Sequence, residues 1–119
     1  MSEISSNVSS NVITSDRVEG TAVYNPAGEK LGSIDYLVID KPTGKVRYAV
    51  LEFGGFLGIG SDRYPLPWEA LKYDLAKDGY EVPLDKSTLE GAPRYMADTR
   101  PDYDDEYGRR IYKYYDIPW

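Results

Sequence analysis

Three groups of residues in this chain have types and spacings that could do chemistry. The first is Gly54-Gly55-Phe56-Leu57-Gly58-Ile59-Gly60, a glycine-rich loop of the kind whose amides can cradle phosphate. It fails on detail. No Gly-Lys-Ser/Thr follows, the spacing is not G-x-G-x-x-G, and no long helix starts there to offer its dipole. The glycines fit better as positions of positive φ or close backbone approach between two strands. The second group is Asp98, Asp102, Asp104, Asp105 and Glu106. An EF-hand loop starting at Asp102 needs Gly at 107 and Glu at 113, where this chain has Tyr107 and Lys113. A helix N-terminus with a solvated run of charge accounts for the cluster. The third group is Asp35, Asp40 and Glu52, on or beside two apolar runs. Carboxylate pairs do acid–base work in glycosidases, but nothing in the spacing joins these to a nucleophile or an orienting partner. Arg47 and Arg63 read as ion-pair partners across a sheet.

Composition narrows the chemistry further. The chain has no His and no Cys, which removes imidazole as base or metal ligand and removes thiolate nucleophiles, thiolate metal sites and disulfides. No enzyme, cofactor or metal is expected. The net charge of −6 argues against sequence-independent binding to nucleic acid and against simple attraction to anionic lipid. No apolar run is long enough to cross a bilayer, and the first residues lack the basic start and apolar stretch of a secretory signal. A cytoplasmic protein is the economical reading. Asn7-Val8-Ser9 is then a chance glycosylation match.

The elements that position these residues follow from turn chemistry. The 119 residues suit one domain with tails. We divide them into a flexible leader over 1–17, a domain over 18–93 and a Tyr-rich, charged extension over 94–119. The leader is Ser-rich, with at most a short strand near Val12-Ile13. Thr21 to Tyr24 is β-prone, and Asn25-Pro26-Ala27-Gly28 carries turn residues in the expected places. Leu31 to Asp40 and Lys45 to Phe53 are strands joined by Lys41-Pro42-Thr43-Gly44. Both are apolar on nearly both faces, so they should be central, or one face should meet the leader, the tail or another subunit. Asp62 to Leu66 is a short strand that Pro65 places at an edge or bulge. Pro67 to Leu71 suits one helical turn. Lys72 to Leu75 and Tyr80 to Leu84 form a hairpin in which Asp78-Gly79 supplies positive φ, and Ser87 to Gly91 makes another brief turn. Six short strands at roughly 8–12-residue spacing indicate an all-β fold, a small antiparallel barrel whose closure would remove exposed edges.

The extension differs in kind. It holds six of the 12 tyrosines and lacks strand alternation. Asp102 to Tyr115 reads as a helix N-capped by Asp102, acidic at its start and basic at its end, with Gly108 weakening it. Tyr107, Ile111, Tyr114 and Tyr115 share a helical stripe that needs a cover. With Trp119 they are candidate contact residues. Phe56, Leu57 and Ile59 are others: they fold under the open end of the barrel or dock on another surface. Gly28, Gly32, Gly44, Pro67 and Trp68 are candidate structural anchors.

Taken together, Val23-Tyr24-Asn25-Pro26-Ala27-Gly28-Glu29-Lys30-Leu31-Gly32-Ser33-Ile34, Val38-Ile39-Asp40, Thr43-Gly44-Lys45-Val46, Gly55-Phe56-Leu57-Gly58-Ile59-Gly60 and Leu66-Pro67-Trp68 resemble the PRC-barrel family. This β-barrel is shared by the cytoplasmic domain of the photosynthetic reaction centre H subunit and the C-terminal domain of the ribosome-maturation factor RimM. The resemblance covers about residues 18–93, and Asp85 to Pro93, with Leu89-Glu90-Gly91-Ala92-Pro93, fits the way stand-alone bacterial members finish the barrel. It implies a non-enzymatic module working through protein contacts, with no catalytic residue to carry over. The expected function is protein interaction or assembly, with self-association into a homo-oligomer through the apolar loop and the tail. The alternatives are a small-ligand or divalent-cation-binding barrel, or an accessory protein related to the reaction-centre H subunit.

Overall fold

The computed structural model describes residues 11–53 and 62–119. Its strands are β1 (Ala22–Tyr24), β2 (Lys30–Ile39), β3 (Val46–Phe53), β4 (Asp62–Pro67), β5 (Lys72–Asp74), β6 (Gly79–Glu81) and β7 (Tyr95–Met96). The helices are α1 (Ser15–Val18), α2 (Lys86–Glu90) and α3 (Asp105–Tyr114), with a 3-10 turn at Trp68–Ala70. The strands form one sheet in the order β5-β6-β1-β2-β3-β4-β7. All neighbours are antiparallel except β1 and β6, which run parallel.

The turns form as their residues dictate. Gly28 has φ +87 and donates its N–H to the Asn25 carbonyl, while the Asn25 side chain accepts from the Glu29 N–H at 2.9 Å. Gly44 has φ +77, and the Asp40 carboxylate accepts from the Thr43 N–H and hydroxyl at 3.1 and 2.7 Å. Leu31, Ile34, Ala49, Leu51, Leu66, Val82 and Leu89 meet in the main core. Trp68 packs against that core, half-buried and edge-on to Tyr80 at 5.6 Å. β7 pairs β4 only through Asp62 and Arg63, so no ladder continues outside Pro65, where the missing N–H would break it.

Several expectations need correction. Among the described residues the ladder is not closed: β5 and β7 are its two ends. These end strands are three and two residues long, too short to reach each other. α3 packs on β4, and Tyr115 and Ile117 line an open groove whose other wall is β5. The sheet has seven described strands rather than six, the extra one being β7, beyond position 93. Val12-Ile13 is not a strand, and the nearby chain turns into α1, which buries Val18. Asp78 carries a positive φ of 52, but Gly79 does not. Gly79 is needed because a Cβ there would lie 2.7 Å from the Ala22 carbonyl oxygen, against the parallel neighbour. The last helix starts after Asp104, whose carboxylate accepts from the Tyr107 N–H at 2.9 Å. It cannot begin at Asp102 because Tyr103 sits at φ +59, outside the helical region.

Candidate interaction surface

β3 explains why its sequence is apolar on both faces. Ala49, Leu51 and Phe53 enter the main core, whereas Tyr48 faces a second cluster built from the C-terminal extension. In that cluster α3 lays Ile111 and Tyr112 over Tyr48, and Tyr103, Tyr107, Tyr115 and Ile117 close the sides. The rings meet obliquely or edge to face, Tyr48 lying 5.4 Å from Tyr103 and 5.8 Å from Tyr112, geometries that favour aromatic pairs. The Tyr112 hydroxyl donates to the Arg47 carbonyl at 2.7 Å. Burial drives the Tyr48 phenol up to about 12 and also raises Tyr107, Tyr112 and Tyr115, because an ionised phenol loses more solvation here than a neutral one.

Trp119 folds back onto this layer. Its ring stands edge-on to Tyr112 at 5.2 Å and under the Arg47 guanidinium at 5.1 Å. Gly108 makes that seat possible, because a Cβ there would penetrate the Trp119 ring and lie 2.7 Å from the Tyr48 hydroxyl. Gly108→Ala should therefore expel Trp119, red-shift its emission, and destabilise the fold despite the gain of about 1 kcal/mol in helix propensity. In a Trp119→Ala background the same change should cost less. Urea melts of the four proteins in this cycle measure the coupling; strictly additive effects would contradict the contact.

A second knot ties the tail to the sheet edge. The hydroxyls of Tyr36 on β2, Tyr95 on β7 and Tyr103 before α3 bond to one another, with Tyr103 at 3.0 Å from Tyr36 and 2.8 Å from Tyr95. Arg100 covers the Tyr36 ring at 4.3 Å. Beside it, Arg63 Nε donates to Asp35 Oδ2 at 2.7 Å, and its Nη1 lies 4.0 Å from Glu52. Asp40 is separate, bonded to Arg47 at 2.8 Å and to Thr43, and its carboxyl is held below its ordinary range by the Thr43 hydroxyl first and Arg47 second. Asp35 and Glu52 thus flank Arg63, and Asp40 holds Arg47.

Between the β5–β6 hairpin and the tail lies an open groove of about 790 Å³. Ala70, Leu75, Pro83, Leu84, Tyr115 and Ile117 supply its apolar walls. Leu75 is 65% exposed and Tyr73 39%. A smaller cleft of about 420 Å³ lies beside Arg47 and Trp119. Among the described residues no group of three or more His, Cys, Asp or Glu is placed to hold a metal, and no helix is long and apolar enough to cross a membrane.

A family model for the PRC-barrel domain matches residues 10–89. The chain belongs to the PRC-barrel family. No curated protein matches it. A solved structure that it resembles is a Pseudomonas aeruginosa protein assigned to 16S ribosomal RNA processing, RimM. The two share 20% identity at a TM-score of 0.42, and the match covers 67% of this chain and 48% of that one. This chain therefore spans about half the length of that protein.

In this PRC-barrel domain the candidate contact residues fall into three sets. Phe56, Leu57 and Ile59 lie outside the described residues. Ile111 is fully buried, and Tyr107 and Tyr115 are half-buried under the chain's own sheet. Tyr114 and Trp119 remain 40% and 46% exposed, Tyr114 donating its hydroxyl to the Thr88 carbonyl at 2.6 Å. Sequence reasoning missed Tyr48, the hydroxyl knot and the Leu75 groove. Gly108 was the one available signal, since glycine inside an amphipathic helix marks a close approach.

Proposed function

We propose that this PRC-barrel domain is a non-catalytic interaction module that self-associates. The observation that carries this reading is the groove beside β5, with apolar walls and with Tyr73 and Leu75 presented to solvent at its lip. Large apolar side chains gathered at an open sheet edge favour burial against protein. Such burial contributes more to a domain this small than to a large one. The charged and phenolic groups serve as supports: Arg63 and Arg47 bind carboxylates, and the phenols of Tyr36, Tyr95 and Tyr103 bind one another.

Phe56, Leu57 and Ile59 are a second candidate contact within the same reading. Static light scattering of the full chain and of the Phe56→Ser/Leu57→Ser variant separates the possibilities. A multimer that dissociates in the variant assigns the contact to the loop. A multimer that persists assigns it elsewhere, with the groove first. A monomer at every concentration overturns the self-association reading.

A further inference from the structure

The hairpin edge carries a symmetry that the fold itself does not use. Ala70-Leu71-Lys72-Tyr73-Asp74-Leu75-Ala76 reads the same in both directions, except that Lys72 on one side of Tyr73 answers Asp74 on the other. β5 occupies the centre of this palindrome, and its outer side pairs with no described strand. Leu71 already has extended dihedrals, φ −98 and ψ 137, so the edge continues one residue before the strand.

We propose that two copies of this chain join by antiparallel pairing of β5 with β5 about a two-fold axis at Tyr73. The inference rests on the self-association reading and names its contact. In this register the three residues of β5 form the ladder, Tyr73 lying opposite Tyr73 and Lys72 of each copy opposite Asp74 of the other, while Leu75, at the start of the hairpin turn, comes near Leu71. A two-fold interface requires such reciprocity, residue i meeting j while j meets i. Opposite charges directly across an antiparallel pair attract, and addition of a strand to an open edge satisfies its unpaired backbone groups. Charges placed to protect an edge from pairing would repel their symmetry mates; here they attract. Lys72 has no ion-pair partner among the described residues, whereas Asp74 and Glu81 share Lys77 at 3.7 and 3.4 Å. Leu75 is the most exposed large apolar side chain of the hairpin, and the pairing brings it toward Leu71 of the other copy, which packs against the main core.

A charge-swap experiment by sedimentation equilibrium on the full chain, from about 1 μM to about 1 mM, tests the register. Lys72→Asp alone sets its new carboxylate against Asp74 of the other copy, once on each side of the axis. Asp74→Lys alone sets its new ammonium against Lys72 of the other copy, again on both sides. Each is expected to weaken the dimer about tenfold or more. An equimolar mixture of the two restores complementary pairs and should recover a heterodimer of near wild-type affinity. Asp74 also accepts from the Ala76 N–H at 2.9 Å, so each variant is checked by circular dichroism. If Asp74→Lys is misfolded, Tyr73→Cys supplies the second test, since the chain has no other cysteine. Mild oxidation should link two copies at the axis, and Lys72→Asp should suppress the link. A wild-type dimer that neither variant weakens, a mixture that fails to recover, or no cross-link where the wild type is dimeric overturns the β5 pairing while leaving self-association standing. A wild-type monomer overturns both.

Discussion

Gly32→Ala is expected to unfold the domain or remove about 3 kcal/mol or more of its stability. Gly32 lies in β2 opposite Phe53 of β3. A Cβ built there penetrates the Glu52 carbonyl oxygen and stands 3.1 Å from its carbon and 3.3 Å from a Leu51 methyl. The obstacle is backbone, held by pairing on both sides of β3, so no rotamer change can relieve it. Separating β2 from β3 also disturbs the longest ladder of the sheet and the core residues Ile34 and Leu51 beneath it. Gly28→Ala is the contrasting control: a Cβ there meets open space but must adopt φ +87, a cost of about 1 kcal/mol. Urea midpoints by circular dichroism rank the two. A Gly32→Ala protein as stable as Gly28→Ala would show that β2 and β3 do not approach so closely.

Alkaline unfolding should be steep and driven by tyrosine. The phenols of Tyr48 and Tyr73 are raised from 10.0 to about 12, the first by burial and the second by its hydrogen bond to Asp78. Tyr64, Tyr80, Tyr95, Tyr103, Tyr107, Tyr112 and Tyr115 are raised as well, with burial the leading cause in each. A raised phenol binds its proton more tightly when folded. Its contribution is therefore fully present below the unfolded value near 10 and is lost as pH rises through that value toward the folded one. Each enclosed phenol that ionises only on unfolding adds about 1.4 kcal/mol of instability per pH unit between those limits, whereas solvent screening makes the contribution of the exposed Tyr73 much smaller. Tyrosinate absorbance and circular dichroism, followed together from about pH 9 to about pH 12.5, should show one shared transition above about pH 10. Gradual phenol titration with the fold intact would mean that these rings are solvated.

The sheet's centre was legible because its signals are local. Asn25-Pro26-Ala27-Gly28 and Lys41-Pro42-Thr43-Gly44 fix their turns through residues within four positions, and the apolar runs that follow each turn read as strands that are central or have one face covered by the leader, the tail or another subunit. What was not legible depends on distant partners. β7 has two residues and no alternation; it forms because Arg94 reaches Asp62 at 3.0 Å and Tyr95 reaches the hydroxyls of Tyr36 and Tyr103. The open ladder could not be read from six strand signals, because closure depends on how far the end strands extend. The tail's stripe is visible as Tyr107, Ile111, Tyr114 and Tyr115, of which Tyr114 stays outside the cluster, but its cover, Tyr48, looks like any strand aromatic until β3 is known to be buried on both faces. The Asp-Gly of the hairpin was assigned to turn geometry alone, whereas Gly79 answers to the parallel approach of β1.

Sedimentation equilibrium of the unmodified full chain tests the central claim most directly. The account predicts an average mass that rises with concentration from the 13.4 kDa protomer toward twice that value. A single 13.4 kDa species up to about 1 mM protein would contradict it.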